Sequence, residues 1–296
     1  MIHKIIMQEI RGIMKFKNTF FTLSFLLFLI NSINPINAQQ TEQQAVSKTD
    51  YLIYLPPDYN ADPDKKWPIM IYLHGVGLMD RSIEGLKNDY IPWHLDHDKV
   101  LPFIVVSPVC KTNGWDVTIL NFLLEDVIHK FNVDENKIYL TGHSMGGFGT
   151  WDWVMKNPDK FAAIVPVSGC SRSRDSISAW KLRNMPVWVF HGETDNIVGI
   201  QCNTEMVNEL RKFSQKVKFT IYPKIGHDTW EQTYTNDEMF KWLAEQDRKN
   251  NIPVAVNFDE KIYKSYSGRY LIEKDTLTIG YAEKKHYLFN RQVVDR

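Results

Sequence analysis

From position 51 the chain alternates short apolar runs with helical or loop segments. The runs are residues 51–55, 69–73, 103–107, 138–140, 163–167, 187–190 and 217–222, and most carry apolar side chains on both strand faces. Strands buried on both faces belong to a mostly parallel sheet covered by helices, so these seven runs predict an α/β domain. Apolar positions three and four apart predict helices over 119–131, where Leu120, Leu123 and Val127 share a face, and over 144–156, 204–213 and 239–246. Asn157-Pro158 ends the second of these, because the residue before a proline is steered out of the α region.

The main domain is expected over residues 45–247. A polar segment, 248–255, contains Arg248-Lys249-Asn250-Asn251 and Pro253 and reads as a linker. Over 256–296, Tyr270/Ile272, Leu277/Ile279/Tyr281 and Tyr287/Phe289 alternate with polar residues, which predicts a small antiparallel β appendage with too little surface to fold alone. At the other end Lys15 and Lys17 precede an apolar run, 20–30, and a polar stretch closing on Ala38. That pattern predicts a signal peptide over residues 1–38, with Met14 as an alternative start. As a helix the run would span about 16 Å against a hydrocarbon core of about 30 Å. Export to the periplasm or the medium is therefore expected, with no stable membrane span once the leader is removed.

Composition narrows the partners. The 296 residues hold 35 Lys+Arg and 35 Asp+Glu, so no net field gathers polyanions, and nucleic acid is not an expected partner. Cys110, Cys170 and Cys202 are an odd number at wide spacing with no C-x-x-C pair. They are expected as small core residues, with neither a disulfide framework nor a zinc site.

One stretch carries a chemical signature. Gly142-His143-Ser144-Met145-Gly146 follows an apolar run and opens the helix 144–156. Strand, G-x-S-x-G, helix sets a serine on a tight turn at a helix N-terminus, with glycines where side chains would collide. A serine hydroxyl is a poor nucleophile until a base takes its proton, and that base is held in one tautomer by a carboxylate. The run 187–190 leads into His191-Gly192-Glu193-Thr194-Asp195, and 217–222 leads into Gly226-His227-Asp228. Ser144, Asp195 and His227 are therefore the candidate triad, with Glu193 the alternative acid. His191 is expected to pack or hydrogen-bond at its strand end, His143 to face away from the nucleophile, and Asp228 to be a solvated charge. Tyr72-Leu73-His74-Gly75-Val76-Gly77 ends the second run, where backbone amides would form an oxyanion hole. Val76 and Met145 are the candidate donors, Gly77 the alternative, and His74 a structural residue of the loop. Trp115 and Trp230 fall in loops expected to border the site and are candidate substrate contacts. Trp151, Trp153, Trp188 and Trp242 fit core positions.

Together these residues resemble the α/β-hydrolase superfamily, and within it the exported esterases related to feruloyl and acetylxylan esterases, polyhydroxybutyrate depolymerases and predicted peptidases. The likeness runs from Tyr51-Leu52-Ile53-Tyr54-Leu55-Pro56-Pro57 to Trp242, and Val76-Gly77-Leu78-Met79-Asp80 departs from it in lacking the longer glycine run of lipases. The resemblance implies an α/β-hydrolase fold and a cofactor-free serine esterase. Its substrate would be a small-molecule or polysaccharide ester, feruloyl or acetyl. Two other readings stay open: a prolyl-oligopeptidase-like peptidase, which usually carries a large N-terminal gating domain where about a dozen residues precede the first expected strand, and an inactive binding module.

Overall fold

The computed structural model describes residues 39–45, 49–78 and 82–251, and beyond them the backbone of strands 268–272, 275–282 and 285–293. The expected leader and residues 252–255 of the expected linker lie outside the described residues. The chain divides into two compact units, residues 1–251 and 252–296.

In the first unit β1 (Gln39–Gln44), β2 (Asp50–Leu55), β3 (Trp67–Leu73), β4 (Ile104–Pro108), β5 (Val133–His143), β6 (Ala163–Val167), β7 (Val187–Gly192) and β8 (Val217–Tyr222) form one sheet in the order β1-β2-β4-β3-β5-β6-β7-β8. The first two are antiparallel additions and the rest run parallel. The seven apolar runs each fall on one of these strands, the run 103–107 starting one residue ahead of β4. β1 has no counterpart among them, because Gln39–Gln44 is wholly polar and occupies a sheet edge, where no second neighbour selects apolar side chains.

Eight helices pack around the sheet among the described residues: α1 (Ile83–Lys87), α2 (Tyr90–His97), α3 (Val117–Lys130), α4 (Met145–Lys156), α5 (Ser176–Lys181), α6 (Gln201–Arg211), α7 (Trp230–Tyr234) and α8 (Asp237–Ala244). Pleating sends Ile69, Ile71 and Leu73 into one core with residues of α3, α4 and α6, and Met70 and Tyr72 into a second with residues of α2 and α8. Both faces are covered, as a parallel sheet requires. Asp116 starts α3 by accepting the amides of Thr118 and Ile119, and Pro158 follows the end of α4.

The first residues of the expected linker are a 3₁₀ turn, Arg248–Asn251. Arg248 donates to the Asp159 carbonyl at 2.7 Å and Asn251 to the Ala162 carbonyl at 2.9 Å. The second unit is a three-stranded antiparallel sheet, β9 (Gly268–Ile272), β10 (Asp275–Ala282) and β11 (Lys285–Val293), in the order β11-β10-β9.

Candidate active site

Ser144 stands between β5 and α4 with φ 50° and ψ −115°. A non-glycine residue held at positive φ costs on the order of 1–3 kcal/mol unless its surroundings impose it. Here the Ser144 amide donates to the Val167 carbonyl at 2.9 Å, and the Ser144 carbonyl accepts from Phe148 at 3.1 Å. The glycines are required by close approach: a Cβ on Gly142 would come within 2.6 Å of the Gly146 carbonyl oxygen, and one on Gly146 would collide with that of Leu73.

The register places the candidate triad at one edge of the sheet, the carboxyl ends of the parallel strands. Ser144 Oγ lies 2.8 Å from His227 Nε2, and His227 Nδ1 lies 2.7 Å from Asp195 Oδ2. Asp195 Oδ1 accepts the amides of Ile197 and Val198, each at 2.9 Å. The Asp195 side chain is fully buried and its oxygens are met by N–H donors, whereas His227 stays partly open. With Nδ1–H given to Asp195, a neutral His227 turns the lone pair of Nε2 to the serine hydroxyl. The two loops are tied together, since Glu193 and Thr194 donate their amides to the carbonyls of Tyr222 and Ile225. Glu193, the alternative acid, instead accepts the Lys224 amide at 2.9 Å.

Leu73 pairs with Gly142 in the parallel register, which carries the loop after β3 over the serine. A Cβ on Gly75 would lie 3.5 Å from Ser144 Cβ. Four contacts hold this loop. Trp115 Nε1–H donates to the His74 carbonyl at 3.3 Å, and the Cys110 amide donates to His74 Nε2 at 2.9 Å. His74 Nδ1–H therefore meets the Gly75 carbonyl, at 2.7 Å, and the Gly75 amide donates to His143 Nε2 at 3.2 Å. Because a trans peptide points its C=O and N–H in opposite directions, the clamp on the Gly75 carbonyl also sets the direction of the Val76 amide. Met145 is the first residue of α4, where an amide has no partner within the helix.

Behind the loop, His143 is buried among Tyr72, Tyr90, Trp230 and Tyr234. Its Nε2 accepts from Gly75, so Nδ1 carries the proton and faces the Tyr72 oxygen at 3.1 Å, and Tyr72 donates to Asp89 at 2.7 Å. Desolvation, helped by nearby His227, pushes the His143 pKa down to about 3, and burial raises the Asp89 carboxyl. Among the described residues no three His, Cys, Asp or Glu side chains cluster so as to hold a metal ion.

Residues 117–240, which include Ser144, Asp195 and His227, match the family model described as phospholipase/carboxylesterase. A solved structure described as a thermostable esterase superposes with a TM-score of 0.58 at 27% identity, over 71% of this chain and 63% of that one. The chain has the α/β-hydrolase fold. The chain is 28% identical over 56% of its length to 24% of a bifunctional acetylxylan esterase/xylanase of Neocallimastix patriciarum, and 25% identical over 56% of its length to 62% of "Probable feruloyl esterase C" of Aspergillus terreus. It thus spans less than two thirds of these curated relatives.

The two tryptophans expected at the substrate differ in placement. Trp115 is committed to the His74 loop and packs on Gly149, where a Cβ would lie 2.6 Å from the indole. Trp230 opens α7 and stands edge-on to His227, ring centres 5.3 Å apart. One expectation from the sequence is corrected: Cys170 and Cys202 form a disulfide, with Cα atoms 5.8 Å apart, and Cys110 alone is a free buried cysteine. The partners are 32 residues apart and meet only because the loop after β6 reaches the first turn of α6. Ser168 also escaped the motif. At φ 44° its hydroxyl lies 2.6 Å from that of Thr229, two residues past His227, and fastens the histidine loop.

Proposed function

We propose that this α/β-hydrolase is an exported serine carboxylic-ester hydrolase acting on carbohydrate-linked feruloyl or acetyl esters. The observation that carries the reading is the continuous pair of contacts from Ser144 through His227 to buried Asp195, at 2.8 and 2.7 Å, on a strained elbow. In this mechanism His227 Nε2 takes the hydroxyl proton as Ser144 Oγ attacks the ester carbonyl. The amides of Met145 and Val76 stabilise the oxyanion, the protonated imidazole returns its proton to the leaving alkoxide, and a water activated by His227 releases the acid. Asp195 holds the tautomer and offsets the imidazolium charge. An alkoxide leaves readily, whereas an amide nitrogen must be protonated and held in place as it departs, so esters are the expected class. Trp230, edge-on beside His227, suits a flat acyl or sugar group. Export follows from the charged and apolar pattern of residues 1–38.

Ser144→Ala is expected to lower kcat on methyl ferulate, acetylated xylan and nitrophenyl acetate by about 10⁴-fold or more and to abolish fluorophosphonate labelling. Asp195→Asn should lose most activity and Glu193→Gln little. Substantial turnover in Ser144→Ala would refute the serine mechanism, and a reversal of the other two would reassign the acid.

A further inference from the structure

The strand-end histidine His191 is not idle. It is buried, with Nε2 2.7 Å from the Val198 carbonyl and 3.2 Å from Asp195 Oδ2, the oxygen that also meets His227. Its other nitrogen, Nδ1, lies 2.8 Å from Asn203 Nδ2, and that same amide nitrogen lies 2.7 Å from the Gly169 carbonyl. An NH₂ group has two protons and no lone pair to offer. Asn203 therefore donates to both, which requires His191 Nδ1 to be an acceptor and puts the single ring proton on Nε2. Only that tautomer donates to Val198 and presents a positive edge to Asp195. The opposite tautomer would turn a lone pair toward a carbonyl and a carboxylate at the same distances.

We propose that Asn203 and His191 are positioning residues of the hydrolase, selecting one His191 tautomer to lock the Asp195–Val198 loop in the conformation that keeps Asp195 Oδ2 on His227. The inference rests on the serine-hydrolase reading above. The loop is gripped from both sides of one residue: the Val198 amide goes to Asp195 Oδ1, and its carbonyl takes the His191 proton. The disulfide lies directly across the selector, since Cys202 precedes Asn203 and Cys170 follows Gly169. A covalent bond one residue away on each side holds the Asn203-to-Gly169 contact in register. The groups facing the His191 ring are Asp195 and, through it, His227, so a change of proton on His191 is felt first by the triad carboxylate.

The test is Asn203→Asp, nearly isosteric but unable when ionised to donate to either partner. It removes the donor that reserves His191 Nδ1 as an acceptor. On nitrophenyl acetate kcat should fall about 100-fold, the scale of a small displacement of a catalytic group, with KM within about threefold, while circular dichroism stays native. In parallel, long-range ¹H–¹⁵N correlation spectra of ¹⁵N-histidine-labelled wild type, with His191 assigned by its loss in His191→Gln, should show the Nε2–H tautomer. Wild-type His191 in the Nδ1–H tautomer would overturn the proposal, as would a folded Asn203→Asp enzyme retaining kcat within about threefold. A wild type inert toward every ester would refute the hydrolase reading instead, and the tautomer measurement would still judge the selector.

Discussion

At the residue scale, the site sets a histidine that must stay neutral next to one that must change its charge. His227 reaches solvent and can exchange a proton with the serine. His143, one residue before the nucleophile, is sealed under the oxyanion loop and spends its nitrogens on Gly75 and Tyr72. Its pKa of about 3 in the fold, against about 6.5 in an unfolded chain, makes it a stability term with a definite sign. Below pH 6.5 the unfolded chain takes up a proton that the folded one refuses, so stability falls as pH drops toward 3. The loss at pH 5 is about 2 kcal/mol from this residue. His191, also lowered by burial, acts in the same direction. Urea unfolding at pH 7.5 and pH 5 should show this loss in wild type and a smaller one in His143→Gln. Equal losses in both would mean that His143 is not held neutral by the fold. Ser144, Asp195 and His227, which the fold brings together, could be picked out as a candidate set because each stands at a strand end within a recognisable local pattern. Asn203 and Ser168 were not, since an asparagine early in a helix and a serine after a strand look ordinary until the fold brings His191 and Thr229 to them.

At the element scale, legibility followed length and burial. The apolar runs marked β2 to β8 because a sheet covered on both faces leaves few polar positions, and all four expected helices lie within three residues of the observed ones at both ends. The first half of β5 and all of β1 were missed, since Asp134-Glu135-Asn136-Lys137 and Gln39–Gln44 have no apolar alternation. Helices α1, α5 and α7 are five or six residues long, too short to show a period of 3.6. The disulfide between the β6 end and α6 was beyond the sequence because pairing depends on the fold and not on spacing. In the loop-entropy picture a bridge closing 32 residues contributes about 3–4 kcal/mol. Cys170→Ala/Cys202→Ala should accordingly lower Tm by about 10 °C, and treatment with a thiol should bring wild type to the same value. An unchanged Tm in the double variant would mean that packing alone joins the two elements.

At the scale of the whole molecule, chemistry and appendage separate along the chain. Every residue assigned to the triad, the oxyanion loop and the His191 selector lies between positions 72 and 230, inside the first unit. The last residues of that unit are fastened to it: Lys216 donates to the Asn250 carbonyl at 2.8 Å, Arg248 to the Asp159 carbonyl and Asn251 to the Ala162 carbonyl. These contacts reach the ends of α4, β6 and β8, away from the carboxyl edge where Ser144 sits, so a chain stopping at Asn251 keeps its anchors. Truncation after Asn251 is expected to leave a folded protein whose kcat/KM on nitrophenyl acetate is within about twofold of the full chain, since no group acting in the transition state is removed. Measurements on acetylated xylan beside the small ester then separate two roles for residues 252–296. An equal rate on both substrates would make the segment dispensable to catalysis, and a loss confined to the polymer would assign it to substrate capture. A truncated protein with native circular dichroism that fails on the small ester would show that the second unit completes the active site and that chemistry and appendage do not separate along the chain.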